Sequence, residues 1–483
     1  MRPIQRVGLV LGPIIFVVML LFPAPGELPD VGWRTAAVAA LMAIWWMTEA
    51  IPLPATALLP LALFPVLGVL SMADAAGPFA NDLIFLFMGG FMIAVAMERW
   101  GLHKRIALSI MSAVGTSPER LVLGFMLATA FLSMWISNTA TAVMMLPMAI
   151  AVGELFRPQD TEGPYEFGIC LMLGIAYAAS IGGLSTLVGT PPNAVLAGAA
   201  LELLDFEIGF GQWMLVGVPV TLFMLPVAWF ALTRVLYPPG KLAGDAAAIL
   251  AAEKSQLGEM DAGERVVAVV FSLTCLSWVF RSPKSFGAVN IPGIQTFAPG
   301  VRDSTIAIAA ALLLFIIPVS WDEGKFTLDW ATAKKIPWGV LVLFGGGLSL
   351  ALAMSESGLA TWVGNGVALL GDVPLWVLAA VVATLFVFLT ELTSNLATTT
   401  MAMPIMVGVA AALNVEPVVL MSIAALAASM AFMLPVATPP NAIVFGSGYL
   451  TIPQMARAGI AMNIIAIAIV ALVGSVLVPI FIT

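Results

Sequence analysis

Ser133, Ser137, Asn138 and Thr139 interrupt an otherwise apolar run, "SMWISNTATAVMMLP", and the same residue types return as Thr390, Thr393, Ser394 and Asn395 in "TELTSNLATTTMAMP". Hydroxyl and amide oxygens are neutral hard donors, the kind a small alkali cation takes. Ser133 precedes Ser137 by one helical turn on the same face, and Thr390 stands in the same relation to Ser394. Ser137, Asn138 and Thr139 also stand just ahead of the apolar run "ATAVMMLPMAIAV", where Ser, Asn and Thr cap free backbone N–H groups. A helix start of this kind carries partial positive charge and suits an anion. A second pair of motifs, "GTPPN" (Gly189 to Asn193) and "ATPPN" (Ala437 to Asn441), breaks helical geometry, because paired prolines cannot continue the helix behind them and push the preceding residue toward extended backbone. Carbonyls freed there suit a cation, and the helix start beyond suits an anion.

The setting of these motifs is a membrane. Of the 483 residues 61% are hydrophobic and only 10% charged, far below the charge content of soluble domains. The net charge of −8 argues against nucleic acid as a partner. Two cysteines, Cys170 and Cys275, both in apolar surroundings, make no disulfide framework, and the single His103 makes no His-rich metal site. An intramembrane enzyme is disfavoured for the same reason, since a serine nucleophile would lack a His partner and no matched pair of buried aspartates is present.

Spans of ~20 apolar residues fall at 7 to 23, 33 to 50, 52 to 70, 81 to 98, 166 to 204, 212 to 235, 265 to 280, 304 to 319, 337 to 355, 416 to 450 and 458 to 482. The first reads as an uncleaved span rather than a signal peptide. Two further regions, 119 to 156 and 374 to 413, carry the polar motifs at mid-depth and read as two spans each or as re-entrant hairpins. Either way the chain returns to the side it left. With the N-terminus cytoplasmic and the C-terminus outside, Arg34, Arg281, Lys284 and Arg302 are the 4 external cations of the 19, and the other 15 lie inside, as the positive-inside tendency requires. Ser, Asn and Thr at the turns favour hairpins, since irregular backbone at membrane depth needs surrounding protein or a cavity.

The motifs belong to a repeat. At an offset of 257, Phe87 to Leu102 matches Phe344 to Leu359 at 8 of 16 positions, and Ser137 to Pro147 matches Ser394 to Pro404 at 6 of 11. Further on, "AASIGGLSTLVGTPPNAV" (Ala178 to Val195) answers "AASMAFMLPVATPPNAIV" (Ala427 to Val444). The charge-derived topology brings the first repeat in from outside at 81 and the second from inside at 337, so the repeats are inverted, the architecture of alternating-access carriers. The expected units are 1–80; a first repeat 81–210 with its hairpin at 119–156 and helix break at 189–193; 211–336; a second repeat 337–455 with its hairpin at 374–413 and break at 437–441; and a last helix 456–483. No Lys or Arg occurs between Arg120 and Arg157 or between Lys335 and Arg457, so an anion held at the motifs is met by helix starts and co-bound cations. Glu391 is the one ionisable residue inside a hairpin; its counterpart is Met134, which leaves hairpin packing and proton coupling both open. Trp45, Trp46, Trp135 and Trp338 read as packing or interfacial anchors, Asp322 and Glu323 as a solvated loop, and His103 as part of a basic cytoplasmic edge.

At these motifs the sequence resembles the divalent anion/sodium symporter family of di- and tricarboxylate and sulfate cotransporters, over essentially the whole chain. The resemblance implies an all-α polytopic membrane protein of about 11 transmembrane helices plus two re-entrant hairpins, with 1–80 and 211–336 as scaffold, an elevator-type transport domain, and a homodimer in the plasma membrane. Carried over by position, one Na⁺ site would use Ser133, Ser137, Asn138 and the Gly189 backbone, and the other Thr390, Thr393, Asn395 and the Ala437 backbone. The substrate carboxylates would meet Asn138, Thr139, Thr190, Ser394 and Asn395, with Thr438 and Pro439 close by. Leu396 stands where many bacterial relatives have Thr, removing one hydroxyl from the anion pocket. The implied activity is Na⁺-coupled import of a small dianion, most simply a C4-dicarboxylate such as succinate. Citrate, sulfate or another anion, coupling to protons, and an uncoupled channel or uniporter are the alternatives.

Overall fold

The computed structural model describes residues 3–157, 165–240, 246–286, 289–368 and 373–482. Arg2 and Lys241, counted above among the cytoplasmic cations, lie outside the described residues, as do 158–164 just beyond the first hairpin region. The molecule is built of helices, eight of them long and apolar enough to cross a membrane among the described residues, with shorter apolar ones beside them.

The 257-residue offset holds in the element bounds. Adding it to Pro118–Ser133 gives Leu375–Thr390, and adding it to Asn138–Leu155 gives Asn395–Ala412, helix for helix. Local chemistry starts the first pair in the expected way: Ser117 accepts from Arg120 N at 3.4 Å ahead of Pro118, and Ser137 accepts from Ala140 N at 3.3 Å. Each pair is a helical hairpin closed by a short tip, Met134 to Ser137 in one and Glu391 to Ser394 in the other. Pro147 and Pro404 occupy the same turn of the two returning arms, where each removes one backbone donor.

Two apolar stretches are each interrupted, as the proline motifs predict. Residues 166 to 204 form Glu166–Gly183 and Pro191–Leu204, and 416 to 450 form Pro417–Ala428 and the short Pro439–Phe445. The breaks, expected at 189–193 and 437–441, lie instead at 184–190 and 429–438, because each proline pair opens the following helix, where its missing donors cost nothing. The stretch 52 to 70 likewise divides into Leu53–Thr56 and Leu59–Leu67, with Pro60 and Pro65 in the second piece. The two-stranded ladders Lys284–Phe286 with Val289–Ile291 and Pro318–Ser320 with Lys325–Phe326 are loop features without periodicity to announce them.

Helices Glu166–Gly183 and Pro417–Ala428 form the centre, buried along almost their whole length. Each packs against the hairpin of its own repeat, and the segments beyond the breaks cross over: Pro191–Leu204 packs on Asn395–Ala412, and Pro439–Phe445 on Asn138–Leu155. Each tip meets the break of its own repeat, Ser133 with Ala179 O and Glu391 with Phe432 N. Close approach depends on glycine at Gly182, where an added Cβ would stand 2.3 Å from Ala130 O of the first hairpin.

At one end of the molecule the amphipathic helix Leu102–Val114 is clamped by Arg105, which meets Glu264 through Nε at 2.5 Å and NH2 at 3.0 Å. Arg99 pairs with Asp329 at 2.6 Å, and Trp100 donates to Thr327 O at 2.7 Å. His103 is a correction to the sequence reading: it is buried at 6% exposure with Nδ1 3.0 Å from Met97 O, because the ring faces the packed side of that amphipathic helix. Asp322 and Glu323 are exposed as expected, and Trp46 is buried with Nε1 donating to Leu53 O at 3.2 Å.

Candidate functional site

Ser133 ends the first arm of its hairpin and Asn138 begins the second. The Ser133 hydroxyl donates to Ala179 O at 2.7 Å, just before the first break, and lies 2.6 Å from the Asn138 amide. With its oxygen inward, that amide faces only acceptors; turned over, its nitrogen donates to Ala179 O at 3.1 Å, Gly189 O at 3.2 Å and Ser133 Oγ at 2.6 Å. The amide nitrogen has two protons to share among these three oxygens, and the hydroxyl, carbonyl and amide oxygens gathered here are neutral donors of the kind a cation takes.

The second repeat builds the same cluster. Thr390 Oγ1 lies 2.7 Å from Asn395 Oδ1 and donates to Ala428 O at 2.8 Å. One hydroxyl proton faces two acceptors, as in the first repeat. Ser133 and Thr390 are fully buried, and Asn138 and Asn395 are half-buried at the start of their helices.

Glycine lets the first cluster close. A Cβ on Gly183 would stand 2.5 Å from Asn138 Oδ1, and one on Gly189 would stand 2.5 Å from Gly183 O. The breaks are stitched by the asparagines that end the proline motifs. Asn193 Nδ2 donates to Gly183 O at 3.3 Å, Leu184 O at 3.2 Å and Thr186 O at 2.8 Å; Asn441 Nδ2 donates to Ala431 O at 3.2 Å and Leu434 O at 3.0 Å. Both reach carbonyls ten and seven residues earlier, so the two breaks share this side-chain stitch. These asparagines and the carbonyls of Ala179 and Ala428 were not among the site residues expected from the sequence. The signal was present in the matched "AAS" and "PPN", but carbonyl direction is not a property of residue type.

Other expected residues have different partners. Ser137 caps its helix, and Thr393 Oγ1 donates to Leu389 O at 2.9 Å and meets the Thr398 hydroxyl. Thr438 accepts from Asn441 N at 3.3 Å, and Thr190 is buried at the N-cap of Pro191–Leu204. Thr139 and Pro439 are exposed, Ser394 is half-buried, Ala437 is buried, and Leu396 at 7% exposure packs into the core. The hydroxyl missing at Leu396 is thus replaced by packed apolar volume.

Four helices begin at these motifs, at Asn138, Asn395, Pro191 and Pro439. Two surface hollows elsewhere, one lined by Asp82, Glu207 and Asp303 and the other by Gln5, Glu49 and Pro52, include none of these residues. Glu391 is buried and fully engaged: Oε1 accepts from Phe432 N at 2.7 Å, Met433 N at 2.9 Å and Asn463 Nδ2 at 2.8 Å, and Oε2 from Leu434 N at 3.1 Å.

Paired hairpins, paired broken helices and helix starts around neutral oxygen clusters define an all-α polytopic membrane protein of the secondary-transporter class. The chain belongs to the family described as the sodium:sulfate symporter transmembrane region, whose pattern matches residues 5–482. It is 44% identical over 482 residues to the sodium-dependent dicarboxylate transporter SdcS of Staphylococcus saprophyticus, covering 98% of this chain and 92% of that protein. It is 43% identical over 485 residues to SdcS of Staphylococcus aureus, strain USA300, covering 99% and 92%. Among solved structures, the Alcanivorax borkumensis YdaH transporter, whose topology was described as unusual, superposes with a TM-score of 0.62 at 15% identity over 92% of this chain and 98% of that one. That likeness concerns the fold alone.

Proposed function

We propose that this protein is a sodium-coupled symporter importing a small divalent anion, a C4-dicarboxylate such as succinate. The carrying observation is the duplicated cluster, Ser133 and Asn138 with Ala179 O, and Thr390 and Asn395 with Ala428 O. Neutral hydroxyl, amide and carbonyl oxygens are the donors a hard monovalent cation takes, and two such clusters give at least two Na⁺ sites, completed by Ser137 and the Gly189 backbone in one and by Thr393 and the Ala437 backbone in the other. The anion lies between them against Asn138, Thr139, Thr190, Ser394, Asn395, Thr438 and Pro439, with its charge met by helix starts and by the cations. The naming of the SdcS relatives as sodium-dependent dicarboxylate transporters supports the same reading.

In this reading the hairpins are re-entrant, the repeats are inverted, and hairpins and broken helices move as an elevator-type transport domain against a scaffold of 1–80 and 211–336 in a plasma-membrane homodimer, N-terminus inside and C-terminus outside. It performs no covalent chemistry and uses no organic cofactor. Leu396 is the observation that keeps a second ligand in view, because a lost hydroxyl changes which anion, citrate or sulfate among them, fits best. The test is succinate accumulation by proteoliposomes under an inward Na⁺ gradient against an equal K⁺ gradient. Accumulation only with Na⁺ is expected; equal uptake in both would overturn the symporter reading in favour of an uncoupled pathway.

A further inference from the structure

The two breaks are held differently, and the difference links the two cation clusters. In the first repeat the tie is internal: Thr186 Oγ1 donates to Met134 O, its oxygen accepts from Gly189 N at 3.1 Å, and all three residues lie in the same half. In the second repeat, Glu391 takes the Met134 position and gathers the three N–H groups of Phe432, Met433 and Leu434 that the broken helix leaves without partners. The carbonyl of the same Phe432 accepts from Tyr177 OH at 3.1 Å, and the Tyr177 and Phe432 rings meet edge to face at 5.0 Å. Tyr177 belongs to helix Glu166–Gly183 of the first repeat, two residues before Ala179, whose carbonyl is in the first cluster. Phe432 lies four residues beyond Ala428, whose carbonyl is in the second, and five before Ala437.

We infer that Tyr177 is a positioning residue that fixes the second cation cluster to the helix carrying the first, so that the two sites fill cooperatively. Resting on the symport reading above, the inference adds how one site senses the other. A cation drawing on Ala179 O orders the end of helix Glu166–Gly183. Tyr177, fully buried on that helix, transmits the position to the Phe432 carbonyl, and the N–H of the same peptide, that of Met433, donates to Glu391, which also accepts from Asn463. The unwound segment is thereby set for Ala428 O and Ala437 O to receive the next cation. Coupling of this kind needs a physical element that both sites bias, and the Phe432 peptide is that element.

Tyr177→Phe removes the hydroxyl and keeps the ring contact. The experiment measures Na⁺ activation of succinate uptake in proteoliposomes, the succinate KM at saturating Na⁺, and the thermal stability of the purified protein. Wild type is expected to activate sigmoidally. In Tyr177→Phe the Hill coefficient should fall toward one and half-saturating Na⁺ should rise roughly threefold to tenfold, the cost of one neutral hydrogen bond. Succinate KM at saturating Na⁺ should stay close to wild type, and the melting temperature should fall only modestly, for the one carbonyl left without its donor. Glu391→Gln, which keeps an acceptor for the segment, should shift the Na⁺ curve in the same direction. A sigmoidal wild type with an unchanged Tyr177→Phe curve overturns the inference, as does a hyperbolic wild type or a joint loss of KM, maximal rate and stability. Na⁺-independent uptake by wild type fails the symport reading itself and is thereby told apart.

Discussion

Ser133 and Asn138 meet at 2.6 Å across the first hairpin tip, and 257 positions later Thr390 and Asn395 meet at 2.7 Å across the second. The buried hydroxyl in each pair also reaches a carbonyl at the edge of a broken helix. Replacing Ser133 or Thr390 by Ala removes one oxygen from a cluster while leaving the tip in place. Half-saturating Na⁺ should rise by roughly tenfold to a hundredfold, since a charge-assisted contact contributes roughly 1.5–3 kcal/mol. Na⁺-activation curves of succinate uptake check this, and an unaltered curve for both variants removes these hydroxyls from the cation sites. Asn138→Ala and Asn395→Ala, which delete the shared amide, should abolish coupled uptake in a protein that remains folded by size-exclusion chromatography.

Asn193 and Asn441 are expected to act on the same sites through the backbone. Asn441→Ala leaves the carbonyls of Ala431 and Leu434 without their side-chain donor, at about 1–3 kcal/mol for each buried group left unpaired. Both thermal stability and Na⁺ affinity should drop together. Asn441→Asp, which supplies no amide donor, should resemble Ala; a wild-type melting curve in both would contradict the stitching role.

Glu391 accepts four hydrogen bonds from Phe432, Met433, Leu434 and Asn463, the pattern of a carboxylate that holds structure. Glu391→Ala orphans all four donors and should prevent stable expression or lower the melting temperature by many degrees. Glu391→Gln should retain a folded carrier whose maximal uptake follows the wild-type pH profile. Loss of a pH-dependent step specifically in Gln would instead point to proton coupling.

Leu396 and Thr139 occupy equivalent places in the two repeats, yet Thr139 is exposed and Leu396 packs into the core. Leu396→Thr exchanges packed apolar volume for a hydroxyl and should cost about 1–3 kcal/mol of stability. The ratio of succinate to citrate or sulfate uptake should change more than half-saturating Na⁺ does. The opposite pattern would place Leu396 outside the anion pocket.

Arg105 and Glu264 form a two-point ion pair, with side chains 23% and 6% exposed. Arg105→Ala leaves Glu264 buried without its charge partner and should destabilise by roughly 3 kcal/mol. Arg105→Ala combined with Glu264→Gln should recover part of that loss, and a double-mutant cycle on melting temperature measures the recovery. Strict additivity would mean that the pair contributes nothing of its own.

Much of this was legible in one dimension. Apolar runs of membrane-spanning length, the 257-residue offset and the proline pairs follow from residue type and spacing, because hydrophobic transfer and the missing proline donor are local properties. They determined an all-α membrane protein, two matched hairpins, the broken helices and the family. Ser133, Asn138, Thr390 and Asn395 were legible for the same reason, as polar residues stranded in apolar helices.

The tertiary structure decided what the side chains face. Ala179 and Ala428 contribute carbonyl oxygens, which every residue carries and only packing aims. Glu391 stood open between packing and proton transfer until the fold brought three free N–H groups to it, since a carboxylate's role depends on the donors around it. His103 and Leu396 turned inward because amphipathic and hairpin faces are settled by neighbouring helices far away in sequence. Tyr177 looked like any aromatic residue of an apolar helix. Its hydroxyl gained a partner 255 residues away only when the two repeats packed together, the kind of contact that long-range packing alone creates.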